Sequence, residues 1–341
     1  MKIKNYSLLL TAIFFTAFTA ERKGAVSPVK SNWQAMNLRG KIKAMCECDF
    51  DATAKADVIS KLSQTPKSID STWFDAKGNK VKQNHYNADG TVLSASTYKY
   101  DSAENMLESA LTAKGKILHR EVYAYDEKGD VTQAIFYKAG DTLLKKDTYK
   151  YDENGNEIEK DEEENAPVKK VAKHYYPYDA NGNKVKDNVF TTGGSLNQAH
   201  AWKYDMNGRM VEEDNFTNKG TPQDKFVYKY DDQGNNLECD AYHADGSLSS
   251  KQTFKYNLKG LKIEEDDYNF EGKLVKYYTY GYDDKGNEKE YKMYNVYGTD
   301  KQMDIADTYL FEYDKKGNWI KKTDLKIDGA IVLTEREIMY Y

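Results

Sequence analysis

The stretch YKYDDQGNNLECDAYHADGSLSSKQTFKYNLKG (Tyr228–Gly260) decides how the whole chain is read. It opens and closes on one motif: aromatic, any residue, Tyr, then Asp or Asn, two free residues and Gly. Between the two copies lies a second polar-x-x-Gly cluster, HADG (His243–Gly246). In both clusters a short polar side chain can accept a backbone N–H two residues on, and the glycine supplies a left-handed residue. That chemistry predicts type I turns closing three-residue β-hairpins. In FKYNLKG (Phe254–Gly260) asparagine starts the turn where aspartate does so elsewhere, a conservative change. Between the turns, Leu248, Phe254 and Tyr256 share one parity and Ser249, Lys251, Thr253 and Lys255 the other. Period-two alternation of this kind predicts strands with one face covered and one face wet.

Working outward, the aromatic before the turn recurs at Phe74, Tyr100, Tyr125, Tyr151, Tyr178, Tyr204, Tyr230, Tyr256, Tyr282 and Tyr313. Successive markers stand 25 to 27 residues apart, except for the last step of 31. A fixed period of this length marks a repeat architecture. The predicted fold is all-β: tandem ~26-residue β-hairpin repeats forming a long, curled antiparallel meander sheet with its tyrosine face inward. Hydrophobic residues make up 39% of the chain, under the usual ~45–50%. With 29 Tyr, 12 Phe and 4 Trp, aromatic rings must do much of the work of an ordinary core. Paired across neighbouring strands, such rings contribute roughly 0.2–1 kcal/mol each.

One detail of the repeat stays open. In five copies an aliphatic residue follows the first turn and an aromatic stands five later: Val81 and Tyr86, Val185 and Phe190, Val211 and Phe216, Leu237 and Tyr242, Ile263 and Tyr268. Five is an odd offset. Either a bulge restores the shared face or the aromatic packs at the strand end.

The domain reading has three parts. Residues 1–20 have two lysines ahead of an apolar run from Leu8 to Phe18, the layout of a secretory signal peptide, with an uncleaved anchor as the alternative. Residues 21–72 lie outside the period and are expected to cap one end, with an opening strand in Asn37–Ala52 and a loop or short helix in Ala52–Ser68. Residues 73–341 form the array of ten repeats, with Ala330–Tyr341 as a closing strand. The mature chain is expected to be exported, periplasmic, cell-surface or secreted, without a membrane span.

Chemistry is not singled out. Cys46 and Cys48 stand two apart, following Ile42 and Ala44 and preceding Phe50 at the same parity, and read as small apolar residues of an inward face rather than a metal or redox pair. With Cys239 the count is odd, so the cysteines cannot all pair within the chain. His85, His119, His174, His200 and His243 occupy different places in their copies and form no recurring ligand set. No nucleophile-elbow, zincin, P-loop or dinucleotide fingerprint occurs. Net charge is −5 with both signs mixed, which sets nucleic acid aside. The expectation is a protein without catalytic, metal or cofactor residues.

Departures from the period mark where a site might be sought. Asn156–Lys170 lacks the second glycine turn, has an acidic run at Asp161–Glu164, and its copy ends on Pro177 where lysine is usual. It reads as an irregular hairpin or a seam, with a cation- or partner-binding loop as the alternative. Gly298–Leu310 holds the residues that lengthen the ninth copy and reads as a protruding loop.

The recurring Y-x-Y-D-x-x-G-N, as in YKYD at Tyr98–Asp101, Tyr149–Asp152 and Tyr228–Asp231 and YAYD at Tyr123–Asp126, resembles the YD repeats of the RHS-like family over about Trp73 to Tyr341. The aromatic-and-glycine hairpins are also similar, less closely, to variant MORN-type repeats. The YD resemblance implies an exported or surface β-structure linked to carbohydrate binding or toxin delivery. The expected function is a binding or scaffold protein of the cell surface or periplasm, acting through protein–protein contacts. A carbohydrate-binding module is the alternative, since Trp73, Trp202 and Trp319 all lie in repeats and their rings can stack on sugars.

Overall fold

In a computed structural model, residues 32–55, 58–165 and 170–341 are described. The signal-peptide reading of residues 1–20 lies outside them. One short helical turn, α1 (Asn32–Ala35), precedes twenty-three strands, which run from β1 (Ile42–Lys55) through β2 (Val58–Lys61) and β3 (Ser68–Phe74) to β23 (Ile331–Tyr340). From β3 onward every strand pairs antiparallel with the next. The turns form as their residues dictate: Asp231 N–H donates to Asn235 O, Gly234 N–H to Asp231 O, and Gly234 takes φ 90°.

The expected open meander is corrected here. β1 pairs with β23 along Ile42–Ala52 and with β3 along Ala44–Asp49, so the sheet closes into a 22-strand barrel, with β2 a short flap on the far end of β1. The physical reason lies in the edges. An open array would leave two long strands with unpaired amides, and β1, which carries no repeat motif, satisfies both.

Closure also gathers the apolar core. One buried cluster joins Trp33, Leu38, Ile42, Met45 and Phe74, and a second, on the opposite face, joins Phe50, Ala52 and Leu333. Both sit at this seam. Ile42 falls in the first cluster because the register shifts between Ile42 and Ala44, so it does not share the face of Cys46, Cys48 and Phe50. Elsewhere the wall is one sheet thick: in β14 (Met210–Phe216) every side chain is half-buried. At the mouth, residues Asn37–Lys41 stand in for a missing eleventh turn. Asn318 accepts the Arg39 N–H at 2.7 Å and donates to the Arg39 carbonyl at 2.8 Å.

The open question of parity is resolved by bulges. After each first turn the register slips by one, as between Lys229/Tyr230 and Lys255/Tyr256, and the extra residue is the aliphatic one, Leu237 or Ile263. A bulged residue and its successor both face the side of the residue opposite them, so Leu237 joins Glu238 and Tyr242 on one face. The other departures are also absorbed. β10 (Glu157–Glu164) pairs with β11 (Lys170–Tyr175) over six residues, so no seam lies there. Gly298–Leu310 is not a loop but the tip and return of a long hairpin between β20 (Glu288–Tyr297) and β21 (Asp300–Tyr313).

Candidate functional site: the inner wall of the barrel

Which face lines the barrel follows from register and handedness. Lys229 lies opposite Glu238, one residue below its marker, and Glu238 lies opposite Thr253, three below the next marker. The stagger accumulates in this one direction from repeat to repeat. Closed sheets of L-residues coil right-handed. With that hand, residues such as Lys229, whose amides point to the following strand, face outward. The marker tyrosines face inward.

The outer wall is a lattice of ion pairs. Lys203 Nζ lies 2.5 Å from Glu212, which also takes Lys225 at 2.9 Å; Lys251 reaches Glu238 at 2.5 Å, and Lys229 and Lys255 pair with Glu238 and Glu264. Burial alone would raise Glu212, but hydrogen bonds from Lys203 and Lys225 outweigh it and bring its carboxyl down to about 2. One row below, burial and then the neighbouring glutamate push Asp214 and Asp240 up. Trp73 belongs to this face, under Lys82 at 5.2 Å. A lipid-facing barrel would need an apolar band ~25 Å tall here, and this wall has lysines two-thirds exposed instead.

The inner wall has two tiers of rings. In the upper tier the marker hydroxyl seals an orphaned carbonyl. Tyr100 Oη donates to Lys80 O at 2.9 Å, Tyr125 to Met106 O at 2.7 Å, Tyr151 to Val131 O at 2.8 Å and Tyr204 to Lys184 O at 2.7 Å. Each acceptor stands immediately before a bulged residue, where the ladder is broken. This role of the marker was not read from the sequence, although the constancy of tyrosine over phenylalanine there pointed to the hydroxyl. Burial raises these phenols, Tyr100 and Tyr204 to about 12.

The lower tier offers ring faces. Tyr98, Tyr149, Tyr176 and Tyr280 receive Lys80, Lys160, Lys184 and Lys262 at 4.8, 5.7, 3.6 and 4.6 Å from their centroids. Trp202 stacks on His200 at 11° between planes. Trp319 lies under the Arg336 guanidinium at 3.3 Å and beside Phe311. Of the three tryptophans singled out from the sequence, two therefore line the barrel and one lies outside.

The densest polar group on this wall belongs to the irregular copy flagged by its acidic run. Asp147, 2% exposed, takes Lys145 at 3.1 Å and Lys160 at 3.3 Å on one oxygen, while its other oxygen has no donor. His174 Nδ1 lies 3.1 Å from Asp187 and its ring stacks on Tyr176. Burial pushes Glu157 up and Lys184 down, and Glu162 falls because hydrogen bonds from Lys160 and Lys145 outweigh its burial. Pairing of neighbouring hairpins and their shared parity bring together Asp147, Glu157, Glu162, His174 and Asp187. Asp161 and Glu163, also in the acidic run, alternate to the outer face, where Asp161 meets Lys173 at 3.1 Å. Cys46 and Cys48 are free thiols on the outer face of β1, with Cys48 raised to about 11 by burial and then by Cys46.

No helix among the described residues is long and apolar enough to cross a membrane. No protein-family model matches the chain, and no curated protein matches it. Among solved structures it is similar to the TcdB2-TccC3 toxin complex, at 15% identity and TM-score 0.32, over 82% of this chain and 19% of that one. It is similar to the Photorhabdus luminescens Tc holotoxin pore at 11% identity and TM-score 0.25, over 82% of this chain and 20% of that one. A porin-like protein from Bacteroides uniformis is similar at 8% identity and TM-score 0.28, over 87% of this chain and 98% of that one. The chain thus spans about a fifth of the toxin-complex chains it resembles.

Proposed function

We propose that the chain is an exported binding or scaffold module of the YD-repeat type, acting at the cell surface or in the periplasm through protein–protein contacts. The observation that carries this reading is the division of labour between the two faces. The outer wall pairs its lysines with its glutamates, and closure leaves little free strand edge, so capture by strand addition has little to use. The inner wall presents ring faces and half-buried polar groups, the composition of a contact surface. Export and YD-type kinship rest on the signal-like leader and the repeated motif. Binding rather than catalysis is favoured because lysines lie between the carboxylates of the densest cluster.

The test is capture of an envelope partner by wild-type and wall variants. Trp202→Ala with Tyr123→Ala is expected to abolish capture, and Lys229→Ala with Lys255→Ala to leave it intact. Loss with the outer pair and retention with the inner pair overturns the reading. A glycan ligand is the second reading, favoured by Trp202 and Trp319 on the inner face. Saturable tryptophan quenching by a cell-envelope or dietary glycan, absent in Trp202→Phe, would bring it forward.

A further inference from the structure

We infer that the inner wall is built for a cationic partner, an extended polypeptide segment rich in lysine and arginine. The inference rests on the inner-wall reading above and adds the sign of the charge. Assigned by register, the two walls divide the charge of the molecule unequally. On the outer wall lysine and glutamate alternate strand by strand and cancel. On the inner wall, among the described residues, carboxylates outnumber ammonium and guanidinium groups. A concave surface of one sign focuses its field and raises the local concentration of the opposite charge.

Carboxylates short of donors occur on both walls, at Asp161, Asp240 and Asp266 outside as well as inside, so the sign of the inner wall rests on its excess of carboxylates; the inner examples show where an added cation would find a partner. Asp147 is almost wholly buried on this wall and keeps one oxygen without a donor. Half-buried Asp324, on the opposite side of the barrel, also keeps one oxygen without a donor among the described residues, although Lys326 holds its other oxygen at 2.9 Å. Asp267 and Glu288 are carboxyls held high, first by burial, with too little opposing charge to bring them back. The wall also displays its own recognition mode. Four lower-tier tyrosines already take an ammonium group of the chain itself over the ring. Glu121 already takes Ser109, His119 and the Tyr123 hydroxyl, while no lysine or arginine among the described residues lies over the Tyr123 ring, which a cation from outside can cover in the same way.

A peptide is favoured over a small amine because the acidic positions recur over about half of the ring. Glu121, Asp147, Glu213 and Glu265 lie on four different repeats, so only a chain carrying several cations engages them together.

The experiment uses the full chain and three dye-labelled 20-residue peptides, one rich in Lys and Arg, one in Asp and Glu, one in Ser and Gly, read by fluorescence anisotropy. The basic peptide is expected to bind, with affinity falling at least about tenfold between roughly 50 and 300 mM NaCl. Glu213→Gln, Glu265→Gln and Asp224→Asn, the last at the inner parity of Phe226 opposite Glu213, together should weaken it at least about tenfold, and the outer set Glu212→Gln, Glu238→Gln and Glu264→Gln less than about twofold. Thermal melts establish that both sets fold. Should the inner set fail to fold, Lys229→Gln with Lys255→Gln replaces it: these make the outer wall acidic and must leave binding unchanged. No binding of the basic peptide, equal binding of the acidic one, or equal weakening by the outer set overturns the inference. If a neutral peptide or a glycan binds and is lost in Trp202→Ala while the basic peptide does not bind, the inner wall remains the contact face and only the charge assignment falls.

Discussion

Replacing Phe50 by alanine probes the seam at which the barrel closes. Phe50 is 5% exposed, packed against Ala52 and Leu333, with Lys61 Nζ 3.7 Å above its ring. Truncating a buried phenylalanine costs ~3–5 kcal/mol. The small size of this cluster points to the lower half of that range. The ladder between β1 and β23 is the one join among the described strands not backed by a nearby chain connection, so the loss should fall on closure and not on the hairpins. Repeat arrays draw stability from near neighbours and can open locally. Hydrogen exchange measured strand by strand is the assay. At ~1.4 kcal/mol per tenfold, amides of Ile331–Tyr340 and Ile42–Ala52 should exchange about a hundredfold or more faster, while those of Pro222–Tyr256 stay within a few fold. A uniform loss over every strand would refute the reasoning, since the barrel would then open as one unit. Unchanged exchange at the seam would refute it as well.

Three further outcomes follow from the same geometry. Tyr125→Phe leaves the Met106 carbonyl without its donor and should cost ~1–2 kcal/mol, read as a lowered denaturation midpoint with unchanged slope. Gly317→Ala combines a residue at φ 83° with a new Cβ only 2.9 Å from the Arg39 guanidinium, so its melting temperature should fall by more than that of Gly220→Ala, where φ is 72° but nothing lies within 4 Å. Asp240 has its folded-state pKa raised, by burial first and then Glu238, so its contribution is fully present below the unfolded value of about 4 and is lost as pH rises through the folded value. Asp240→Asn should therefore raise the melting temperature at pH 7 and lose that advantage at pH 3; the same gain at both pH values would show that charge is not the cause.

How far the fold was legible depends on which interactions are local. The period, the turns and the facing of Tyr228, Phe254 and Tyr280 follow from residues within one hairpin, and all are visible in the string of letters. Closure is not local. It depends on a small stagger between neighbouring repeats, set by bulges at residues such as Leu237 and Ile263, summed around the ring until β23 meets β1 in register. A change in that sum would leave each hairpin intact and the ring open. The closing strand was the hardest to place because Ile42–Lys55 carries no marker or glycine turn. It pairs with two repeats instead of belonging to one. The inner cluster was half visible: the acidic run was flagged, but the bulge at Ile158 decides that Glu162 points inward and Glu163 outward.

The marker tyrosine ties the fold to the candidate site. The bulges at Val81, Leu107, Thr132 and Val185 each leave the carbonyl before them to a marker hydroxyl that reaches across from the next odd strand on the inner side. The ring belonging to that hydroxyl is then fixed on the inner wall in repeat after repeat. Lysines that begin the following strands, such as Lys80, Lys184 and Lys262, come to lie over the lower rings, so the surface is organised before any ligand arrives. A preorganised surface of this kind loses less side-chain entropy on binding than a mobile one. The motif that makes the barrel foldable and the wall that makes it a plausible receptor are thus one feature, and variants of the marker hydroxyl should lower stability and affinity together, whereas variants of the lower tier should lower affinity alone.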